Sequence, residues 1–91
     1  MGKLLFIYIG NDEVVESDKI ISILDYQLTH SSPKLRQLIA DQKRNKRVIG
    51  SDIDAKSIII TDESIYYSSF STSTLKNREE LYATMNQVEK K

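Results

Sequence analysis

Six cations fall within fourteen residues of this chain: Lys34, Arg36, Lys43, Arg44, Lys46 and Arg47, with Asp41 the single acid among them. Ammonium and guanidinium groups at this density give the electrostatic footprint that phosphate contacts need. No aromatic residue is interleaved with them, so they are not spaced for stacking on single-stranded bases. The same run also fits a plainer description, a solvated helix face whose last-turn cations oppose the macrodipole. Upstream the sign inverts: from Asp12 to Asp25 there are five acids against Lys19 alone. Asp12, Glu13, Glu16 and Asp18 could hold a hard cation, although their spacing follows no metal-binding loop. They could equally complement the basic run of a neighbouring subunit.

The remaining polar groups suggest little catalysis. His30 is the only histidine and stands in a Ser/Thr loop, where it reads as a turn residue. A triad would need a nucleophile and an orienting acid around it. Tyr66 and Tyr67 are adjacent and so fill opposite faces of a strand. The hydroxyl-rich run Ser68–Thr74, with Lys76 and Arg78 close behind, could bind a phosphate at a helix N-terminus. Capping alone also explains those hydroxyls. There is no Gly-rich phosphate loop, no zinc spacing and no carboxylate pair with acid–base logic. We therefore expect no enzyme, no cofactor, no metal and no small-molecule substrate.

Several strands and two helices must position these groups. Strands are expected at about residues 3–9, 13–16, 19–24, 56–61 and 64–68, with Val48-Ile49 as a short edge strand. In the first, Leu4, Phe6 and Tyr8 point one way and Leu5, Ile7 and Ile9 the other. Gly10-Asn11-Asp12 is a turn signal. Asp25–Ser31 reads as a polar loop. Ser32 then caps a helix at about 33–44, with Pro33 at its first position, where a missing N–H costs nothing. Leu35, Leu38, Ile39 and Gln42 form its stripe. Ile58-Ile59-Ile60 and Ile65-Tyr66-Tyr67, separated by Thr61–Ser64, make a hairpin whose contacts are local and cheap to nucleate. A last helix is expected at about 73–88, capped by Ser73 or by Asn77 with Glu80.

The whole is one expected domain, residues 1–91, of mixed α/β (α+β) class with a mostly antiparallel sheet. Formal net charge is zero, so any nucleic-acid role must rest on a local patch. Cysteine is absent, which excludes disulfides and thiolate metal sites. The longest apolar run, Leu4–Ile9, is far short of the roughly 18 residues that a spanning helix needs. A cytoplasmic protein with no membrane role is expected. At least two strands are apolar on both faces, yet only two helices are available as cover. A bare sheet face marks an interface, so a homo-oligomer is expected.

The segments FIYIGNDEVVESDKIISILD and KSIIITDESIYYSSFSTSTLKNR, with the Pro33-led helix between them, resemble the extracellular matrix regulator family of Gram-positive bacteria, RemA and RemB. The likeness covers about residues 5–80 and is greatest to the RemB branch, whose members carry a similar IYYSxxSxSTLKxR pattern. It implies a cytoplasmic regulator of biofilm matrix genes. The RemA branch binds double-stranded DNA, has a fold similar to LytTR domains and assembles as a closed ring whose outer basic residues grip the DNA backbone. By this resemblance Lys19 stands at the position of a DNA-contacting basic residue, and Lys56 matches a basic residue just before the triple-isoleucine strand. Where RemA has an arginine pair, this chain has Ile53-Asp54. An acid there reverses the local interaction with phosphate. Two functions follow. In the first, the protein is a homo-oligomeric DNA-binding regulator that uses Lys34, Arg36, Lys43, Arg44, Lys46 and Arg47 with help from Lys19 and Lys56. In the second, it is an oligomeric scaffold of the same fold that acts through a protein partner.

Overall fold

Ile58 and Ile59 are neighbours in the chain and both are 0 % exposed. Successive strand residues face opposite ways, so this strand is covered on both sides. The computed structural model describes residues 6–78. In chain order its elements are β1 (Phe6–Gly10), β2 (Glu13–Glu16), a 3-10 turn (Ser17–Lys19), β3 (Ile20–Asp25), α1 (Leu28–Ser31), α2 (Pro33–Arg44), β4 (Val48–Ile49), β5 (Ser57–Thr61) and β6 (Ile65–Ser68), followed by helical residues 72–78. The central sheet has the order β3-β5-β6-β4. Its β3–β5 and β5–β6 pairs are antiparallel, and β4 runs parallel to β6. The polar break between β5 and β6 is a tight turn. The Thr61 hydroxyl accepts from the Ser64 N–H at 2.9 Å and donates to the Ser64 carbonyl at 2.8 Å.

One face of this sheet receives α2. Leu35 and Ile39 are buried against Ile58, Ile65 and Tyr67. The other face receives the β1–β2 hairpin together with Leu75, so that Ile7, Ile9 and Val15 pack on Ile59. The hairpin turn fits its residues. Asn11 and Asp12 have φ of 57° and 61°, as a two-residue turn of left-handed type requires. Gly10 also lies at positive φ, and a Cβ there would come within 2.8 Å of the Ser69 hydroxyl oxygen. Hairpin and sheet share no ladder, but one buried polar bond links them. The Ser68 hydroxyl donates to the Ile9 carbonyl at 2.6 Å and accepts from the Phe70 N–H at 3.0 Å. Ser57, opposite Ser68 in register, donates to the Phe70 carbonyl at 2.8 Å. Two serines can therefore sit fully buried at low cost, because each is satisfied.

The expected mixed α+β class is what the structure has, and α2 spans the anticipated residues. Several details differ. Lys19 belongs to the 3-10 turn rather than to β3, and Lys56 precedes β5. Residues 3–5 of the expected first strand lie outside the described residues, as does everything expected of the last helix beyond 78. That helix begins at 72, not 73. Its cap is Ser71, whose hydroxyl accepts from the Thr74 N–H at 3.2 Å, so neither Ser73 nor Asn77 serves. The supposed loop Asp25–Ser31 contains the single turn α1. Asp25 accepts the Gln27 N–H at 2.8 Å and Thr29 donates to the Tyr26 carbonyl at 2.8 Å, which stabilises that turn locally. The expected bare face is not found on the second side of the central sheet, which the hairpin covers. Among the described residues, exposed apolar side chains include Phe6 (50 %) and Val14 (53 %) beside Tyr8 on the hairpin's outer side, and Ile21 (67 %) on β3.

Candidate nucleic-acid interface

Helix α2 sets the geometry of the basic run. Ser32 caps it by accepting the Leu35 N–H at 3.1 Å, and Pro33 occupies the first turn. With Leu35 and Ile39 against the sheet, the helical repeat fixes where each cation goes. Arg36 and Lys43 are seven residues apart and share one flank. Lys34 falls on the other flank, and Arg44 faces outward. The Arg36 guanidinium donates to the Thr29 carbonyl at 2.6 Å, which ties it to α1. Arg44 pairs with Asp41, which also accepts from Gln37 at 3.0 Å. An exposed pair of this kind contributes at most about 1 kcal/mol and leaves Arg44 available to another anion.

The helix ends in a way that gathers four cations. The Lys46 N–H donates to the Lys43 carbonyl at 3.0 Å, and the Arg47 N–H donates to the Gln42 carbonyl at 2.9 Å. Together these are a Schellman closure, with Lys46 at the left-handed position and φ of 59°. The reversal keeps Lys46 and Arg47 at the same end of the helix as Lys43 and Arg44, and all four are exposed, with Lys43 on the flank toward Tyr26 and Tyr67 and Arg47 on the flank toward Leu38 and Thr61. Arg47 is further fixed by its carbonyl, which accepts the Ile65 N–H at 2.8 Å and so joins the helix end to β6. The cations also offset the partial negative charge of the terminal carbonyls, which would otherwise repel a phosphate. A lysine in left-handed conformation is costly relative to glycine. Lys46→Gly should therefore stabilise the fold by about 0.5–1 kcal/mol, read as a higher thermal midpoint. If Lys46 touches phosphate, the same variant should bind duplex DNA several-fold more weakly.

The other two candidates are not brought to this end together. Ile20 pairs with Thr61 and Asp25 with Ser57, so Lys19 and Lys56 flank opposite ends of the β3–β5 ladder, roughly 15–20 Å apart at about 3.3 Å per residue. Lys19 lies 4.0 Å from Glu63. It also eases the shift of Tyr66, whose phenol is pushed up first by burial and then by Glu13 and Glu63. Lys19 thus sits among carboxylates. Lys56 is exposed, and its backbone carbonyl accepts the Tyr26 N–H at 3.0 Å. The hydroxyl run after β6 is occupied with its own backbone and side chains, through Ser71, Ser73 and Thr74. Arg78 stacks over the Phe70 ring at 4.9 Å. Among the described residues no group of three His, Asp or Glu side chains could hold a metal ion, so the acids from Asp12 to Asp18 do not converge. No helix among the described residues is long and apolar enough to cross a membrane.

One grouping escapes any reading of spacing. Tyr26, His30, Arg36, Lys43, Asp52 and Tyr67 line a common cleft, although they come from four separate stretches of chain. Spacing accounts for Arg36 with Lys43 on one flank of α2 and for Tyr26 with His30 across the α1 turn, but only the packing of α1 and α2 on β6 brings the four stretches together.

Fold and site together define a small α+β domain with a cationic helix terminus on its surface. Residues 6–78 match the family model described as RemA-like, extracellular matrix regulatory protein A-like. The chain is 38 % identical over 74 residues to extracellular matrix regulatory protein B of Bacillus subtilis strain 168, covering 81 % of this chain and 89 % of that protein. The chain belongs to the RemA-like family of extracellular matrix regulatory proteins.

Proposed function

We propose that this chain is a homo-oligomeric regulator of extracellular matrix genes that acts in the cytoplasm, binds double-stranded DNA through phosphate contacts, and catalyses no reaction. The carrying observation is the exposed cluster of Lys43, Arg44, Lys46 and Arg47 that the Schellman closure assembles at the end of α2. Arg36 extends it along one flank, and Lys34, Lys19 and Lys56 supply outlying charge. The matrix-regulator name of its relative supports the regulatory part of this reading. Contacts of this kind are sequence-tolerant and salt-sensitive. A titration of labelled promoter duplex at several salt concentrations tests it. Four phosphate contacts should give a log–log slope of roughly minus 3 to minus 4. Absence of binding at low salt ends the proposal.

The oligomer would form through the outer side of the β1–β2 hairpin, where Phe6, Tyr8 and Val14 present an apolar surface to solvent. Light scattering with and without duplex measures it, and a monomer at high concentration would refute it. A second reading rests on the loop before β5. Ile53 there is 77 % exposed and flanked by Asp52 and Asp54. Such a surface suits a protein partner better than phosphate. On this reading the oligomer forms, DNA does not bind, and a separate regulator copurifies.

A further inference from the structure

Tyr67 is 6 % exposed, yet its phenol hydroxyl has no hydrogen-bond partner among the described residues. Buried tyrosine hydroxyls ordinarily have one, and an exception calls for an explanation. Tyr67 lines a cleft of about 370 Å³, within the range of roughly 300–1,000 Å³ typical of small-molecule sites. The cleft has a definite layout. Tyr26 stands edge-on to both His30 and Tyr67, with ring centroids 6.0 Å apart in each pair and planes 88° and 66° apart, and all three rings line the cleft. Arg36 and Lys43 line the α2 side. The bond from Arg36 to the Thr29 carbonyl holds the guanidinium at the cleft while leaving its other donors unspent. Asp52 lies at the loop side. It is close enough to Tyr67 to add to the upward push that burial gives the phenol.

A bare anion is a poor match for this cleft, because Asp52 would repel it and the rings would give it nothing. The fitting ligand carries an anion at one end, an N–H donor at the other and a flat apolar body between. We propose that the cleft binds a nucleotide whose base bears an exocyclic amine, with the phosphate on Arg36 and Lys43, the base against the Tyr26 and Tyr67 rings, and the amine donating to Asp52. The Tyr67 hydroxyl then finds its missing partner on the base. This goes beyond the DNA reading and does not depend on it, since no duplex enters the assay.

Titration calorimetry and amide-shift mapping with AMP, GMP and CMP test the proposal, with adenosine and inorganic phosphate as partial ligands. All three nucleotides should shift amides around Tyr26, Lys43, Asp52 and Tyr67. Adenosine and inorganic phosphate should each bind at least about tenfold more weakly than AMP. Lys43→Ala should weaken AMP about tenfold, and Tyr67→Phe, which keeps the ring and the packing, should weaken it several-fold. Three results would overturn the proposal: no shifts at millimolar nucleotide, equal affinity for inorganic phosphate and AMP, or AMP binding untouched by both substitutions while their spectra show an intact fold.

Discussion

Arg44→Glu combined with Arg47→Glu should abolish most duplex binding and leave the fold standing. Both side chains are exposed, and neither belongs to the core on either side of the sheet. The substitutions remove two cations and install two anions where phosphates would approach. We expect affinity at low salt to fall about 100-fold or more, and the log–log salt slope to become shallower by about 2. The structural cost is small. The carboxylate introduced in place of Arg44 would lie one turn from Asp41 and near the negative end of the helix, which together costs less than about 1 kcal/mol. The backbone bonds of Arg47 to Gln42 and Ile65 do not involve its side chain. Binding isotherms at three salt concentrations, paired with thermal melts, separate the two effects. Unchanged affinity would move the DNA surface elsewhere and favour the partner-protein reading.

Ile59→Ala should cost about 2–5 kcal/mol, against about 0.5–1.5 kcal/mol for Ile59→Val. Ile59 is wholly buried and is the sheet residue on which Ile7, Ile9, Val15 and Leu75 converge. The cavity would open between two layers that share no ladder, so neighbouring strands cannot close it by sliding along their register. A domain of this size has roughly 5–15 kcal/mol in total, so the alanine variant should sit near the edge of folding. Urea midpoints for the two variants, at unchanged slope, measure the difference. An alanine cost as small as the valine cost would mean that the hairpin does not seat on β5.

How much of this is legible in the sequence depends on how local the cause is. Ser32-Pro33 announces α2, and the Thr61–Ser64 break announces the β5–β6 turn, because in each case the residues themselves satisfy the backbone. The Ser71 cap falls before both Ser73 and Asn77, the two caps that the pattern offers, since several hydroxyls in a row compete for one role. The single-turn α1 escapes the pattern because four residues carry no periodicity, and side-chain bonds from Asp25 and Thr29 hold it. The cover of the second sheet face is hidden for a different reason. Val15 and Ile9 find Ile59 only across a large separation in sequence, which no count of apolar faces reveals. At the candidate interface, the cations of α2 are legible as a run, but their gathering at one end depends on Lys46 adopting a conformation that its type disfavours. The tyrosine-lined cleft is not legible at all. His30 reads as a turn residue in the sequence; the local turn α1 sets it beside Tyr26, and only the tertiary fold puts that pair against Tyr67 and the flank of α2.

The bond from Ser68 to Ile9 spans 59 residues. A ribosome working at about 5–20 residues per second needs roughly 3–12 s to cover that distance. For that interval the earliest-made greasy strand pair is held out on the nascent chain with no seat to occupy. Translation speed, more than final stability, then decides how long it is open to chaperones or to the same segment emerging from a neighbouring ribosome on one message.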